Sequence, residues 1–312
     1  MASVGAGTAA LGGLLVWRMQ PPSGPMPALP GDMPGDGDES VALKSSGHTR
    51  YRLKDGPGPL VVLVHGISYP MEVYDVLFHQ LAGAGRSVLM YDLSGRGYSH
   101  TSGEPLTIEC YVRQLQELLD ALGLSERELE IVGWSMGSVI ATHYACARPS
   151  SVTKLVLLAP VGGAPAAKPW TAGLLHAPFG MGNALGELFV RPSLNKLYRE
   201  ELGQMSDGGK LLRFLCDHAT RNSALPRSMK STLRSCPELD NNHVALAQVG
   251  AHDRPVLALW GTADATTTRS NLDALLALLP RAKLVCLDDL RHSFIVTSPD
   301  QANPPILSFL GV

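Results

Sequence analysis

A serine flanked by two glycines lies between two apolar segments of this sequence. Ser135 stands in "EIVGWSMGSVI" (130–140), with Gly133 and Gly137 on either side. A G-x-S-x-G sequence between a strand and a helix places the serine hydroxyl on a sharp turn, where close backbone approach leaves room only for small residues. A hydroxyl held in this way attacks a carbonyl carbon when a base takes its proton. The pattern therefore predicts that Ser135 is a nucleophile.

A nucleophilic serine needs a histidine as its base and a carboxylate that orients the histidine. Among the ten histidines, His292 in "DDLRHSF" follows the last predicted strand, where a ligand crevice is expected. Asp264 in "WGTAD" follows the preceding predicted strand. It is preferred to Asp288 and Asp289, which lie on or just after the strand that carries His292. The chain order serine, aspartate, histidine is that of enzymes with a nucleophile elbow.

The negative oxygen of a tetrahedral intermediate must be stabilised by backbone N–H groups. Met136, directly after the serine, supplies one group, and Ile67 in "HGIS" supplies the other because it follows the predicted strand 59–66. Trp134 and Phe179 are predicted to contact the substrate. The five cysteines are scattered and lack CxxC spacing, which argues against a zinc site or a disulfide framework. The chemistry is expected to need no metal and no organic cofactor.

Two neighbouring motifs are interpreted as structural. His65 ends a predicted buried strand beside Gly66 and is expected to shape the loop that follows. The glycine-rich stretch "LSGRGYS" (93–99) opens no helix with G-x-G-x-x-G, and no P-loop lysine follows it. We therefore expect a tight loop near the carboxyl edge of the sheet and not a phosphate site.

The elements that must position these residues alternate along the chain. The predicted strands are 48–54, 59–66, 87–92, 129–134, 154–160, 255–261 and 283–289. The predicted helices are 72–84, 107–122, 136–146, 270–279 and a short final helix. Strands separated by helices predict right-handed crossovers and an α/β fold with a mostly parallel sheet.

The alternation is interrupted once, which divides the chain into four parts. Residues 161–240 carry several helical segments and no clear strand, and they are predicted to form an inserted helical cap. The α/β core is accordingly predicted in two parts, 41–160 and 241–312. Residues 1–40 are predicted to be an apolar leader followed by a linker rich in proline and glycine.

The leader leaves the location of the protein open. Residues 4–17 are apolar and uncharged, but they are shorter than the about 20 residues that span a bilayer as a helix. Residues 21–39 resemble a flexible linker. Peripheral membrane association, an organelle-targeting leader and an inert tail all stay open, and the expected location is intracellular. The formal net charge of −2 and the lack of a long basic run argue against nucleic acid as a partner.

Taken in order, the motifs resemble the α/β-hydrolase superfamily. The matching stretches are "VVLVHGIS", "MYDLSGRGYS", "IVGWSMGS", "LVLLAP", "PVLALWGTAD" and "LRHSF", which together cover about 48–312. "GWSMG" with a helical cap is similar to monoacylglycerol-lipase-like and carboxylesterase-like members. It also resembles carbon–carbon bond hydrolases and cofactor-free haloperoxidases. The stretch "HGIS" departs from the HGGG loop of other esterase lineages.

The resemblance implies a serine hydrolase that cleaves small carboxylic esters through an acyl-enzyme. The apolar leader and the apolar residues of the insert favour a hydrophobic or lipid-derived ester. Two alternatives remain: a carbon–carbon bond hydrolase of the same fold, and a non-catalytic protein that binds a ligand. The sequence makes no prediction of the oligomeric state.

Overall fold

One twisted sheet positions every residue discussed below. The computed structural model describes residues 37–101, 105–164 and 225–312, together with individual residues between 192 and 222. The strands are β1 (Asp38–Leu43), β2 (Gly47–Lys54), β3 (Leu60–Val64), β4 (Ser87–Tyr91), β5 (Leu129–Trp134), β6 (Val152–Leu158), β7 (Val256–Gly261) and β8 (Lys283–Leu287). Their order in the sheet is β1-β2-β4-β3-β5-β6-β7-β8. Pairs β1–β2 and β2–β4 are antiparallel and the other pairs are parallel.

Helices connect the parallel strands, as the alternation predicts. The α-helices of the described residues are α1 (Asp75–Gly83), α2 (Ile108–Ala121), α3 (Met136–Ala147), α4 (Leu225–Ser235), α5 (His243–Ala251), α6 (Arg269–Leu278), α7 (Phe294–Thr297) and α8 (Pro299–Leu310). Short 3₁₀ helices lie at Met71–Tyr74 and Pro237–Leu239. The predicted α/β fold with a mostly parallel sheet is confirmed.

The central strands are apolar throughout because both faces of the sheet are covered. All five residues of β3 are buried. Its alternate side chains enter two different clusters: Val61 and Leu63 on one face, and Val62 and Val64 on the other. Successive strand side chains point to opposite faces, so a continuous β-branched run is the expected sequence of such a strand.

Helix α2 shows how local sequence sets the ends of an element. Thr107 precedes the helix in extended conformation, and its hydroxyl accepts a hydrogen bond from the Cys110 N–H at 3.3 Å. This satisfies one of the N–H groups that a helix start leaves free. Gly123 follows the helix with φ of +69°, a conformation that favours glycine. The helix predicted over 107–122 is confirmed, with Thr107 as its N-cap.

The first strand corrects the predicted start of the core. The stretch 21–39 is predicted to be a linker, yet Asp38 and Glu39 already belong to β1. The cause is electrostatic, since the Asp38 carboxylate pairs with both Arg50 and Arg52 of the neighbouring strand. The core therefore begins at Asp38 and not at residue 41, the predicted start.

Part of the predicted organisation lies outside the described residues. Helix α4 and the 3₁₀ helix at Pro237–Leu239 lie within the predicted insert. Phe179 and the leader segment 4–17 are not among the described residues, and their assignments stay predictions. In the part of the chain that the structure covers, no helix is both long and apolar enough to cross a membrane.

Candidate active site

Ser135 occupies a strained turn between β5 and α3. Its backbone has φ of 54° and ψ of −119°, which is unusual for a residue with a side chain. The turn is held because the Ser135 N–H donates to Leu158 O on the adjacent strand at 2.9 Å. The residue is 8% exposed, so its hydroxyl lies at the base of a largely covered site.

Both glycines beside the serine are required by close backbone contacts. A Cβ at Gly133 would lie 2.3 Å from Gly137 O. A Cβ at Gly137 would lie 2.1 Å from Val64 O, at the end of β3. Both distances are far below any real Cβ contact, and the backbone atoms of a helix or of a paired strand cannot move aside. The spacing of the G-x-S-x-G motif thus follows from packing of α3 against the sheet.

The structure brings the three predicted side chains into one line. His292 Nε2 lies 3.0 Å from Ser135 Oγ, and His292 Nδ1 lies 2.8 Å from Asp264 Oδ2. Asp264 follows β7 and His292 follows β8, so each is delivered by the carboxyl end of a strand. The Asp264 side chain is fully buried and that of His292 is 12% exposed.

The hydrogen bonds of Asp264 fix the tautomer of the histidine. Its Oδ1 accepts the N–H groups of Thr266 at 2.7 Å and Thr267 at 2.8 Å, which leaves Oδ2 for the ring. A carboxylate accepts only, so Nδ1 of His292 carries the proton and Nε2 is free to accept from the Ser135 hydroxyl. This is the arrangement that a general base needs.

One predicted oxyanion donor, Met136, follows the serine directly, and the other follows Gly66, where a Cβ would lie 3.4 Å from Ser135 Cβ. Met136 begins helix α3, and the first N–H of a helix has no acceptor within the helix. The positive end of the helix dipole points to the same place. Ile67 follows β3 on the other side, and its N–H makes no backbone hydrogen bond to the described residues.

His65 shapes the loop that carries Ile67. Its Nδ1 lies 2.7 Å from Gly66 O and its Nε2 accepts the Leu93 N–H at 2.9 Å. The carbonyl can only accept, so the ring is neutral with its proton on Nδ1. Burial lowers the pKa of His65 to about 4, which keeps the ring neutral. The ring joins the loop after β3 to the loop after β4.

The Trp134 side chain contacts His292. Its ring is 1% exposed, and its Nε1 donates to His292 O at 3.1 Å. The Trp134 and His292 ring centroids lie 5.7 Å apart. The predicted contact of Trp134 with substrate stays a prediction, while the contact with the His292 backbone is one that the sequence did not indicate. Only the position of Trp134 beside Ser135 pointed to this neighbourhood.

A buried ionic cluster supports the loop after β4. Arg50 pairs with Asp38, Glu72 and Asp92. Asp92 also accepts the Met71 N–H and the Tyr98 N–H, both at 2.9 Å. Burial raises the pKa of Glu72 to about 7, with a further rise from nearby Asp92 that opposes the lowering by Arg50. The cluster anchors both ends of the loop near the site.

Comparisons with known proteins give the family. Residues 55–298 match the family described as serine aminopeptidase, S33. The polyketide synthase ThaQ of Burkholderia thailandensis is 26% identical over 89% of this chain, which spans only 13% of that protein. A pimeloyl-[acyl-carrier protein] methyl ester esterase of Nitrosomonas europaea is 25% identical over 79% of this chain and 93% of its own.

A solved structure agrees in fold. Esterase RhEst1 of Rhodococcus sp. ECU1013 superposes with a TM-score of 0.69 at 20% identity, covering 88% of this chain and 98% of that one. The match to the family extends over more than half of the sequence and includes all of the strands from β3 to β8. The chain therefore belongs to the serine aminopeptidase S33 family, and its fold is that of an α/β-hydrolase.

Proposed function

We propose that this protein hydrolyses carboxylic esters with Ser135 as nucleophile, His292 as general base and Asp264 as the orienting acid. The observation that carries the proposal is the continuous line of hydrogen bonds, 3.0 Å from Ser135 Oγ to His292 Nε2 and 2.8 Å from His292 Nδ1 to Asp264 Oδ2. Histidine acts as a base when it accepts the proton that it must remove, as here.

The reaction follows from these positions. Ser135 Oγ attacks the ester carbonyl while His292 takes its proton, and buried Asp264 stabilises the imidazolium that forms. The N–H groups of Ile67 and Met136 stabilise the tetrahedral oxyanion, and each lowers the activation barrier by about 3 kcal/mol. The imidazolium then protonates the leaving alcohol. Water, activated by the same ring, attacks the acyl-enzyme and releases the acid.

The apolar surroundings favour a hydrophobic acyl group. Ile67 packs against the same cluster of apolar side chains as Trp134, Leu215 and Leu225. Leu215 and Leu225 come from the predicted insert, so this part of the chain brings apolar side chains to the face of the sheet that carries the site. An acyl chain bound there would be removed from water, which contributes about 25 cal/mol for each Å² of apolar surface.

Activity-based labelling tests the nucleophile. A fluorophosphonate probe should modify the folded protein, and mass mapping should place the adduct on Ser135. The Ser135→Ala variant should lose labelling and esterase activity together, while Ser46→Ala, which alters a buried serine in the turn between β1 and β2, should keep both. Labelling that persists in Ser135→Ala would overturn the assignment. A folded protein that takes up no probe would favour the non-catalytic alternative.

A substrate series tests the bond and the acyl group. We expect kcat/KM to rise from p-nitrophenyl acetate to longer p-nitrophenyl esters. Because the family is described as a serine aminopeptidase family, aminoacyl p-nitroanilides are the amide substrates to compare with these esters. A preference for these over esters would replace the ester proposal by an aminopeptidase one. Cleavage of a vinylogous diketone, with esters left intact, would favour the carbon–carbon alternative.

A further inference from the structure

The turn after β4 contacts both the oxyanion loop and helix α4. This turn is the glycine-rich stretch 93–99, and it is almost entirely buried. Ser228 of α4 donates its hydroxyl to Gly95 O at 2.6 Å. A Cβ at Gly95 would lie 2.7 Å from Ser228 Cβ, so helix and turn are in direct contact. The turn therefore lies between the site and the predicted insert.

The side chain of Arg96 connects the oxyanion loop to helix α4. Its guanidinium is fully buried. Nε donates to Ile67 O, Nη1 donates to Gly95 O at 3.2 Å, and Nη2 donates to Thr232 Oγ1 of α4 at 2.8 Å. A guanidinium is rigid and planar, so moving one of these acceptors moves the others or breaks a bond.

The bond to Ile67 O acts on the predicted oxyanion donor. In a trans peptide the C=O and the following N–H point in opposite directions. His65 holds Gly66 O, which sets the peptide that ends in the Ile67 N–H. Arg96 holds Ile67 O, which sets the next peptide. The two peptide planes at Ile67 are thus held by His65 and by Arg96, and Arg96 acts on the Ile67 N–H through the φ and ψ angles that join the two planes.

Thr232 is fixed in turn on helix α4. Its hydroxyl donates to Ser228 O at 3.0 Å and accepts from Arg96, and it lies 2.7 Å from the Tyr111 hydroxyl. A threonine hydroxyl has one donor and two acceptor positions, so all are used. Thr232 and Tyr111 are both completely buried. The contact to Arg96 therefore has little freedom to change unless α4 moves.

We propose that Arg96 is a positioning residue that couples helix α4 to the oxyanion hole. The proposal rests on the proposed function. Substrate that packs beneath the predicted insert would move α4, and Thr232 and Arg96 would transmit that movement to the Ile67 N–H. The donor is then correctly aimed only when α4 is in place. The effect belongs to the transition state, because the ground-state carbonyl carries little charge for the donor to stabilise.

Two variants with a matched control test this coupling. Arg96→Lys keeps the charge but loses the rigid fork, and we expect kcat for p-nitrophenyl butyrate to fall about 10- to 100-fold with KM within about threefold, since an oxyanion donor is worth 10²–10³ in kcat. Thr232→Val keeps the shape and should lower kcat about three- to tenfold. Thr142→Val is the control, because Thr142 is equally buried and its hydroxyl bonds only to Ser138 O of its own helix among the described residues.

A transition-state probe separates positioning from general damage. A short alkylboronic acid forms a tetrahedral adduct on a serine and places an oxygen in the oxyanion hole. Its affinity should weaken in Arg96→Lys and Thr232→Val by the same factor as kcat/KM, and the double variant should lose no more than Arg96→Lys alone. Thermal unfolding of each variant reports folding. If Arg96→Lys does not fold, the kcat and the boronic acid affinity of Thr232→Val alone decide whether Arg96 couples α4 to the oxyanion hole.

Several results would overturn the coupling. These are a change confined to KM, unchanged boronic acid affinity, additive losses in the double variant, or an equal loss in Thr142→Val. The Ser135→Ala experiment is independent of all of them. A wild-type rate in that variant would refute the proposed function, whereas full activity in Arg96→Lys with an inactive Ser135→Ala would refute only the role of Arg96.

Discussion

Replacing Asp264 by asparagine should reverse the tautomer of His292, the proposed general base. The N–H groups of Thr266 and Thr267 reach Asp264 Oδ1 at 2.7 and 2.8 Å and require an acceptor there. The amide oxygen of asparagine must take that position, which turns its NH₂ group towards His292 Nδ1. His292 Nδ1 then accepts a hydrogen bond instead of donating one. The ring proton moves to Nε2, facing Ser135, and the base is lost.

The expected loss is large although the shape of the side chain hardly changes. A histidine in the wrong tautomer lowers kcat about 10⁴-fold in a serine triad, which corresponds to about 5 kcal/mol of transition-state stabilisation. The measurement is kcat for p-nitrophenyl butyrate, with the concentration of active sites determined by titration. The unfolding temperature should stay near that of the wild type, since asparagine keeps the same backbone contacts.

Asp289→Asn provides the control for this prediction. It makes the same chemical change three residues before His292, on a carboxylate that is exposed and was the rival candidate in the sequence. Its kcat should stay within about twofold of wild type, because exposed charges contribute little. The reasoning would fail if Asp264→Asn kept more than about a tenth of the wild-type kcat. It would also fail if Asp289→Asn lost as much activity.

Three further predictions concern stability. Gly137→Ala, whose Cβ would lie 2.1 Å from Val64 O, should lower the free energy of unfolding by several kcal/mol in urea titrations, while Gly83→Ala in open space should be neutral or raise it by up to about 1 kcal/mol. Burial lowers the pKa of His65 to about 4, so the contribution of His65 to stability is present above its pKa in the unfolded chain and is lost as pH falls. Between pH 6.5 and 4 a His65→Gln variant should therefore lose less stability than the wild type. Burial raises the pKa of Glu72 to about 7, so the contribution of Glu72 to stability is lost as pH rises through 7. Between pH 5 and 7.5 the Glu72→Gln variant should therefore lose less stability than the wild type. An unchanged slope of stability against pH in either variant would refute the corresponding assignment.

The sequence predicts the candidate site well because each residue follows a strand. Ser135, Asp264 and His292 come directly after apolar runs, and parallel strands bring their carboxyl ends to one edge of the sheet. Gly133 and Gly137 are also visible in the sequence, because the G-x-S-x-G spacing indicates the close backbone approach that excludes a Cβ at both positions. Local chemistry and a simple topology thus predict most of this region.

Other elements depend on distant partners and could not be predicted. Strand β1 begins with two acidic residues, and the first of them, Asp38, is held by Arg50 and Arg52 on the next strand. Helix α5, "HVALAQVGA", is short and mostly apolar, and a run of that kind gives no clear period. Arg96 is an ordinary basic residue in the sequence, and its role follows only from the positions of Ile67 and Thr232.

The hydrogen bond from Trp134 to His292 O joins residues 158 positions apart in the chain. During synthesis the nucleophile is therefore made long before its base. At about 5–20 residues per second, the interval between Ser135 and His292 is roughly 8–30 s. Throughout that time the elbow has no histidine to activate it and Trp134 has no carbonyl to bind. The nascent chain consequently carries Ser135 without its proposed base, and the proposed site is complete only when His292 and the two helices that follow β8 have been made.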